Sequence, residues 1–211
     1  CATDLNEDGP DVPPESQGLF LRKFSSLVRG AGVAAVCGRA SNGLKKGFYA
    51  ALVRAAAARN CFTIFDTTGP ALREALSAGA AGVKINRSEF EELSGAGFTP
   101  ARLYAFYRRR QARGLRTMIV TDGPAHTYAA SQLGLWKVLP PRLARLKSST
   151  GAGDSFMAGF LFGFLSGCDF ERSLKLASGA AASDCLTLGA GLIEADKALA
   201  YAEKARVIKV A

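Results

Sequence analysis

Residues 148–161 read Ser148-Ser-Thr-Gly-Ala-Gly-Asp-Ser-Phe-Met-Ala-Gly-Phe-Leu161 and carry the strongest signal in the chain. Three small residues, Gly151, Ala152 and Gly153, lead directly into an apolar helix. Small residues let backbone N–H groups approach a ligand closely, and a helix N-terminus adds unpaired donors and partial positive charge. The stretch therefore predicts an anion pocket suited to the charge that develops on a transferring phosphoryl group.

Asp154 follows these small residues at the edge of the predicted pocket. A carboxylate in this place can accept the proton of an attacking hydroxyl group. The alternative is an acidic N-cap on a glycine-rich turn, which is a common way to start a helix.

Further along, Ala158, Gly159 and Gly163 predict a helix that packs tightly against a neighbour.

The rest of the chain alternates short apolar runs with amphipathic stretches, which is typical of an α/β fold with a parallel sheet covered on both faces. Strands are predicted at 32–37, 61–66, 81–84 and 116–121, with a hairpin at 127–130 and 135–139. Helices are predicted at 15–29, 47–59, 70–77, 87–93, 99–113, 154–166, 170–187 and 194–204. No repeat or low-complexity linker interrupts this pattern, so it indicates a single domain.

The segment Lys84-Ile-Asn-Arg-Ser-Glu89 follows a predicted strand. Ligands bind beyond the carboxyl ends of strands in open α/β sheets. Asn86 and Glu89 are three residues apart on one face of a starting helix, where their oxygens can hold Mg²⁺ directly or through water. Lys84 can reach nucleotide phosphates as a point charge. The alternative is a capping box, with Asn86 as the N-cap and Glu89 closing it.

Two further segments end predicted strands. Thr121-Asp-Gly-Pro124 can turn around a nucleotide, but local sequence favours a simple hairpin turn. Asp66-Thr-Thr-Gly-Pro70 can contact a substrate, but a turn into the following helix is favoured.

Composition narrows the function classes. The chain has 211 residues, and 27 basic against 18 acidic residues give a net charge of +9, which predicts anionic ligands. The basic segment 107–116 lacks an aromatic stacking platform, so a solvated helix end is favoured over a nucleic-acid site. The single histidine disfavours His-based metal sites, and five scattered cysteines suit a reducing cytoplasm. No apolar run is long enough to predict a membrane span.

Taken together, the motifs resemble those of the ribokinase/PfkB superfamily of carbohydrate kinases. The 148–161 stretch is similar to that family's C-terminal signature, 84–95 to its K-P-N-x-x-E block, and 120–126 to its ATP-binding loop. The closest resemblance is to the hexose-phosphate branch, 1-phosphofructokinase and tagatose-6-phosphate kinase. Three further segments carry it: Leu5-Asn-Glu-Asp-Gly-Pro10, Phe65-Asp-Thr-Thr-Gly-Pro-Ala-Leu72 and Gly134-Leu-Trp-Lys-Val-Leu-Pro-Pro141.

The resemblance implies a three-layer α/β/α ribokinase-like fold with a mostly parallel sheet. It also implies a partial kinase domain, the C-terminal two-thirds, that lacks the N-terminal strands and most of the lid. Residues 1–10 are then a remnant of the lid and substrate region, and residues 11–211 form the nucleotide-binding α/β core.

The family also implies roles for individual residues. Asp154 is the expected catalytic base, and Gly151, Ala152 and Gly153 form the expected anion hole. The expected ATP-binding residues are Lys84, Asn86, Thr121, Asp122, Gly123, Ala180 and Ser183. The expected substrate-binding residues are Gly38, Arg39 and Asp154, and the expected Mg²⁺ contacts, direct or through water, are Asn86 and Glu89.

The implied reaction is ATP-dependent phosphoryl transfer to the primary hydroxyl of a ketohexose phosphate, of the fructose 1-phosphate or tagatose 6-phosphate type. The alternative is a catalytically inactive remnant that binds nucleotide or another protein. ATP and Mg²⁺ are the expected cofactors and a homodimer is a possible assembly, with neither a nucleic acid nor a membrane expected as a partner.

Overall fold

A computed structural model of the chain describes residues 9–211. These divide into two compact units, residues 9–81 and Gly82–Ala211. Most of residues 1–10, the expected remnant of the lid and substrate region, lies outside the described residues.

The first unit alternates helices with two parallel strands. Its elements are α1 (Pro14–Leu27), β1 (Val33–Cys37), α2 (Phe48–Ala57), β2 (Phe62–Asp66) and α3 (Gly69–Ser77). β1 pairs in parallel with β2 from Val33 opposite Phe62 to Cys37 opposite Asp66. This arrangement is the one that strand–helix alternation in the sequence predicts.

The two strands of the first unit differ in burial. The first four residues of β2 are buried, as its apolar sequence predicts. β1 is half-buried instead, and successive residues of a strand face opposite sides. Ala34 packs against the buried cluster of Val28, Ala56 and Cys61, whereas Ala35 faces the other side and is exposed.

The second unit contains five strands and five helices among its described residues. They are β3 (Gly82–Asn86), α4 (Arg87–Ser94), α5 (Pro100–Gln111), β4 (Thr117–Asp122), β5 (His126–Ser131), β6 (Gly134–Leu139), α6 (Ala152–Leu165), α7 (Phe170–Asp184), α8 (Ala195–Lys204) and β7 (Arg206–Lys209). β3 pairs in parallel with β4, and β4, β5, β6 and β7 pair antiparallel in turn.

The strand pairing is therefore mixed: β1–β2 and β3–β4 are parallel, as the strand–helix alternation predicts, and the pairs from β4 to β7 are antiparallel. Short turns join β4 to β5 and β5 to β6, and a short turn can connect strands only when they run antiparallel. The predicted hairpin is confirmed. The C-terminal strand β7 was not predicted, since it has four residues and none of them is buried.

Glycines let the last three helices pack closely. A Cβ on Gly159 of α6 would lie 2.7 Å from the carbonyl oxygen of Leu176 in α7. A Cβ on Gly163 would lie 2.8 Å from the Cα of Ser173. The predicted tight packing is confirmed at these two positions, whereas Ala158 is exposed. These contacts fix α6 and hence the direction of its N-terminus.

The basic segment forms the C-terminal end of α5, with Arg108, Arg109 and Arg110 in the last turn. The guanidinium of Arg110 lies 3.6 Å from the centroid of the Phe106 ring. Cations at a helix C-terminus interact favourably with the helix dipole. The placement agrees with the interpretation of this segment as a helix end.

α6, the apolar stretch quoted first, has 14 residues. Within residues 9–211, no helix combines the length and the hydropathy needed to cross a bilayer.

Candidate active site

The start of α6 is a helix N-terminus that no side chain caps. Gly151 occupies the N-cap position with a φ of +88°, a conformation that favours glycine. The first hydrogen bond of the helix runs from the Ser155 N–H to the Gly151 carbonyl oxygen, at 2.8 Å. The N–H groups of Gly153 and Asp154 lie ahead of this bond, so they can donate to a bound anion.

Asp154 is the third residue of α6, and its side chain is exposed. Among residues 9–211, no hydrogen bond or ion pair holds its carboxylate. The alternative that Asp154 is the N-cap is wrong, because Gly151 holds that position. The carboxylate is therefore available to a substrate at the edge of the helix N-terminus.

Lys84 of β3 reaches the same place. Its side chain is almost fully buried, at 5% exposure. A Cβ built on Gly153 would lie 2.9 Å from the Lys84 Nζ atom. The ammonium group therefore lies beside the start of α6, and it brings a full positive charge next to the N–H groups there.

A loop after α7 closes the other side of the α6 N-terminus. A Cβ on Gly151 would lie 2.7 Å from the Cβ of Ala190, so this loop packs directly on the N-cap residue. The buried Asp184 carboxylate holds the loop, since its Oδ1 accepts from the Leu192 N–H at 3.0 Å. Sequence reasoning missed Asp184, although an acidic residue at the end of an alanine-rich stretch was the available signal.

Ala152, the middle residue of the expected anion hole, differs from Gly153. Its N–H donates to the Ser149 carbonyl oxygen at 3.2 Å. The two donors nearest to an incoming anion are therefore those of Gly153 and Asp154.

The carboxyl end of β3 forms the capping box that was the alternative interpretation. Asn86 Oδ1 accepts from the Glu89 N–H at 2.9 Å and from the Ser88 hydroxyl at 2.7 Å. Glu89 Oε2 accepts from the Asn86 N–H at 2.7 Å. The alternative is confirmed, and it fixes both side chains at the point where β3 becomes α4.

These hydrogen bonds decide how the predicted metal contacts fit Mg²⁺. Mg²⁺ usually takes one or two carboxylates and fills its remaining positions with water and substrate phosphate. Glu89 fits this pattern, because its Oε2 is used in the capping box and its Oε1 remains for a ligand. Asn86 Oδ1 already accepts two hydrogen bonds, so it fits a direct ligand poorly. Within residues 9–211, no three His, Cys, Asp or Glu side chains cluster to form an all-protein metal site.

A groove of about 220 Å³ opens where β3 and β4 end. Its lining residues are Asn86, Arg87, Ser88, Glu91, Thr121, Asp122 and Gly123. The structure therefore brings the 84–89 and 121–123 segments together, as the prediction of a shared nucleotide site requires. Asn86 pairs with Thr121 in the sheet, and this pairing sets the two segments side by side.

Arg87 forms part of the groove wall, a role that sequence reasoning did not assign. Its Nε lies 3.2 Å from Glu91 Oε1, and its Nη1 lies 3.2 Å from Asp122 Oδ2. The bonds to Glu91 and then to Asp122 raise the pKa of the Arg87 guanidinium. The pKa of the Glu91 carboxyl falls below its usual value of 4.5, first because Glu91 accepts from the Phe98 N–H and second because of Arg87.

Thr121, Asp122 and Gly123 lead from β4 into a tight turn. The Ala125 N–H donates to the Asp122 carbonyl oxygen at 3.0 Å, and Gly123 has a φ of +50°. The hairpin interpretation is thus confirmed. It is compatible with a nucleotide site because the same turn lines the groove.

Ala180 and Ser183, expected near adenine, have buried side chains. The Cβ of Ala180 lies 2.8 Å from where a Cβ on Gly159 would be, at the α6–α7 contact. Ser183 has no exposed surface, and its hydroxyl accepts from the Glu194 N–H at 3.0 Å. Their contact with adenine stays a prediction, and the burial of both side chains speaks against it.

Gly38 and Arg39, expected on the sugar side, belong to the first unit and follow β1. Gly38 has a φ of +95°, and its N–H donates to the Asp66 carbonyl oxygen at 2.9 Å. This bond joins the carboxyl ends of β1 and β2. Arg39 comes next and is exposed.

The sequence of the chain is similar to those of known carbohydrate kinases. The model of the pfkB family of carbohydrate kinases matches residues 3–197. A 1-phosphofructokinase of Haemophilus influenzae is 25% identical over 181 residues, which are 85% of this chain and 58% of that protein. The chain therefore spans less than two thirds of this relative.

Solved structures confirm the ribokinase-like α/β fold. Phosphofructokinase-2 from Escherichia coli, in complex with potassium, matches with a TM-score of 0.85 at 20% identity over 94% of this chain and 64% of that one. Arabidopsis thaliana ribokinase, complexed with ribose and ATP, matches with a TM-score of 0.72 at 19% identity, covering 86% of this chain and 59% of that chain. With a family model that matches most of its length, the chain belongs to the pfkB family of carbohydrate kinases.

Proposed function

We propose that this chain carries the phosphoryl-transfer site of a sugar-phosphate kinase. The acceptor is the free primary hydroxyl of a ketohexose phosphate, of the fructose 1-phosphate or tagatose 6-phosphate type, and the donor is ATP. The observation that carries the proposal is the uncapped start of α6, where an exposed Asp154 carboxylate and the Lys84 ammonium adjoin the same N–H groups. The similarity to 1-phosphofructokinases supports this choice of acceptor.

In the proposed reaction, the acceptor oxygen attacks the γ-phosphorus as its proton passes to a carboxylate oxygen of Asp154. The bond between the γ-phosphorus and the β–γ bridging oxygen breaks, and ADP leaves with that electron pair. Negative charge on the transferring group is stabilised by the N–H groups of Gly153 and Asp154 and by Lys84. Donors that are already in place are effective because they need no reorganisation during the reaction.

The groove at the ends of β3 and β4 is the proposed nucleotide site. Asn86 lines it from one strand, and Thr121, Asp122 and Gly123 line it from the other. Glu89 is the proposed carboxylate for Mg²⁺, which when bound supplies charge neutralisation at the phosphates. On the sugar side, Gly38 and Arg39 remain the proposed substrate residues, with the exposed guanidinium suited to a sugar phosphate.

The test is an assay of ADP release from MgATP, with fructose 1-phosphate and tagatose 6-phosphate offered separately. ADP release that depends on one of these acceptors supports the proposal. We expect Asp154→Asn to lower kcat by about 10²- to 10⁴-fold, the usual scale for a general base. If the variant keeps most of the activity, the assignment of the base is wrong. ATP binding without acceptor-dependent turnover would instead favour the inactive nucleotide-binding remnant.

Three other expectations stay predictions. They are a homodimer, a cytoplasmic location, and the absence of nucleic-acid and membrane partners.

A further inference from the structure

Arg87 links two segments just beyond the end of the β3–β4 pairing. The last paired residues are Asn86 and Thr121, and the next residues along the chain are Arg87, the first of α4, and Asp122, the last of β4. At this point a side-chain hydrogen bond replaces the backbone pairing, since Arg87 Nη1 donates to Asp122 Oδ2 at 3.2 Å. The bridge therefore extends the association of the two strands into the loops that line the groove.

The guanidinium is itself held firmly on the α4 side. Its Nε donates to Glu91 Oε1 at 3.2 Å, and the same oxygen accepts from the Phe98 N–H at 2.8 Å. The Arg87 guanidinium carbon also lies 5.9 Å from the centroid of the Phe98 ring. Asp122 is thus anchored to a group whose own position is set by α4 and by the loop that follows it.

Global stability does not account for this arrangement. The side chains of Arg87, Glu91 and Asp122 are 49%, 36% and 29% exposed, and exposed ion pairs contribute little to the stability of a fold. Among residues 9–211, His126 also faces Asp122, with its Nε2 3.9 Å from Asp122 Oδ2. The effect of the Arg87 bridge is therefore local, and it falls on the turn that lines the groove.

We propose that Arg87 is a positioning residue of the nucleotide site, because its guanidinium holds the 122–125 turn in register with the 86–91 segment. The inference rests on the proposed function, since it assigns the groove to the nucleotide. Ordering the turn before the ligand arrives lowers the entropy lost on binding, so the bridge raises affinity through Asp122 rather than by contact with the nucleotide.

The test is a double-mutant cycle on nucleotide binding. Titration calorimetry measures the Kd of AMP-PNP with Mg²⁺ for the wild type, Arg87→Met, Asp122→Asn and the double variant. We expect each single change to raise the Kd by about 5- to 20-fold, the scale of coupling between contacting residues, and the double variant to be no weaker than the singles. The melting temperature should stay close to that of the wild type in all four proteins.

Arg172→Met is the matched control. Arg172 forms an exposed ion pair with Glu203 between α7 and α8, away from the groove. Its loss should leave the Kd unchanged, which separates an effect of the groove from the loss of any surface ion pair.

Three outcomes would overturn the inference. An unchanged Kd in Arg87→Met removes the positioning role. A raised Kd in Arg87→Met with an unchanged or lower Kd in Asp122→Asn shows that Arg87 binds the nucleotide itself. A wild-type chain that binds no AMP-PNP refutes the assignment of the groove, and the inference falls with it. If the wild type binds AMP-PNP and only the Kd values of the variants differ from those expected, the inference about Arg87 is wrong but the proposed function stands.

Discussion

The ammonium of Lys84 lies against Gly153, so close that a Cβ on that glycine would be 2.9 Å from Nζ. The two residues are far apart in the chain, one in the middle of β3 and the other in the first turn of α6. Their contact places a full positive charge beside the N–H groups that precede the first hydrogen bond of α6. The expected anion site therefore combines a helix N-terminus with a buried lysine.

Substitutions of Gly153 and Gly151 can separate the effect of this region on nucleotide binding from its effect on stability. We expect Gly153→Ala to fold normally, because the atom it meets is the end of a flexible side chain. The displaced Lys84 should then weaken AMP-PNP binding about 5-fold or more, on the scale of coupling between contacting residues. Calorimetric titration and a thermal melt on the same sample check both statements. A normal Kd would show that the position of Lys84 does not matter to the nucleotide.

Gly151→Ala is the contrasting variant. The φ of +88° disfavours a side chain by about 1–2 kcal/mol, and the new Cβ would also lie 2.9 Å from the Ala190 Cα. We therefore expect Gly151→Ala to lower the free energy of unfolding in urea clearly, and Gly153→Ala to leave it nearly unchanged. Equal stabilities of the two variants would contradict the geometry of the 151–153 turn.

Substitution of two aspartates at helix starts should have opposite effects on stability and on activity. Asp154 is held by no described partner, so Asp154→Ala should leave the unfolding free energy nearly unchanged while abolishing most acceptor-dependent ADP release. Asp169 is the N-cap of α7 and accepts from the Arg172 N–H, so Asp169→Ala should lower stability by about 1 kcal/mol and leave kcat close to normal. Urea unfolding and the ADP assay give the two readouts. Loss of stability in Asp154→Ala would mean that this carboxylate has a structural role.

Local signals explain which features could be predicted from the sequence. The capping box of Asn86 and Glu89 arises within four residues, and the turn after Thr121 also depends on adjacent residues, so both were anticipated. Gly159 and Gly163 were recognised as contact positions because small residues in an apolar helix leave room for a neighbour.

The parts that were missed depend on tertiary pairing. The contact of Lys84 with Gly153 requires β3 and α6 to be placed side by side, and the Arg87–Asp122 bridge follows from the register of β3 and β4. The family resemblance implied a contact of Ala180 and Ser183 with adenine, which stays a prediction; in the structure Ala180 lies at the α6–α7 contact and the Ser183 hydroxyl accepts from the Glu194 N–H. Sequence spacing alone does not distinguish a small residue that admits a ligand from one that admits another helix.

Two helical glycines offer a test of this packing with results of opposite sign. Gly159→Ala would bring a Cβ within 2.9 Å of backbone atoms of Leu176 and Ala177, and overpacking of this kind typically destabilises by about 1–3 kcal/mol. Gly18→Ala in α1 meets just one atom of the flexible Arg22 side chain, at 3.6 Å, and should stabilise by about 0.5–1 kcal/mol through helix propensity. Urea unfolding measures both. If Gly159→Ala were as stable as the wild type or more stable, the close α6–α7 contact would be refuted.

The carboxylate of Glu91 predicts a pH dependence at the groove. Its pKa in the folded chain is lowered below 4.5, mainly by the hydrogen bond from the Phe98 N–H and then by Arg87. A group with a lowered folded-state pKa favours the folded state above its unfolded-state pKa, and this contribution is lost as the pH falls through the folded-state value. The melting temperature of the wild type should therefore exceed that of Glu91→Gln at pH 6–7, and the difference should shrink below about pH 4.5.

Salt distinguishes the two causes of this shift. In about 0.5 M NaCl the exposed pair with Arg87 is screened, whereas the hydrogen bond from the Phe98 N–H persists. We therefore expect most of the difference at neutral pH to survive in salt, with the acid limb shifted slightly toward higher pH because the Arg87 contribution to the lowered pKa is screened. Thermal melts of the two proteins across this pH range, with and without salt, provide the measurement. Parallel pH profiles for wild type and Glu91→Gln would show that Glu91 does not couple protonation to folding, and a difference abolished by salt would assign the effect to Arg87 instead of Phe98.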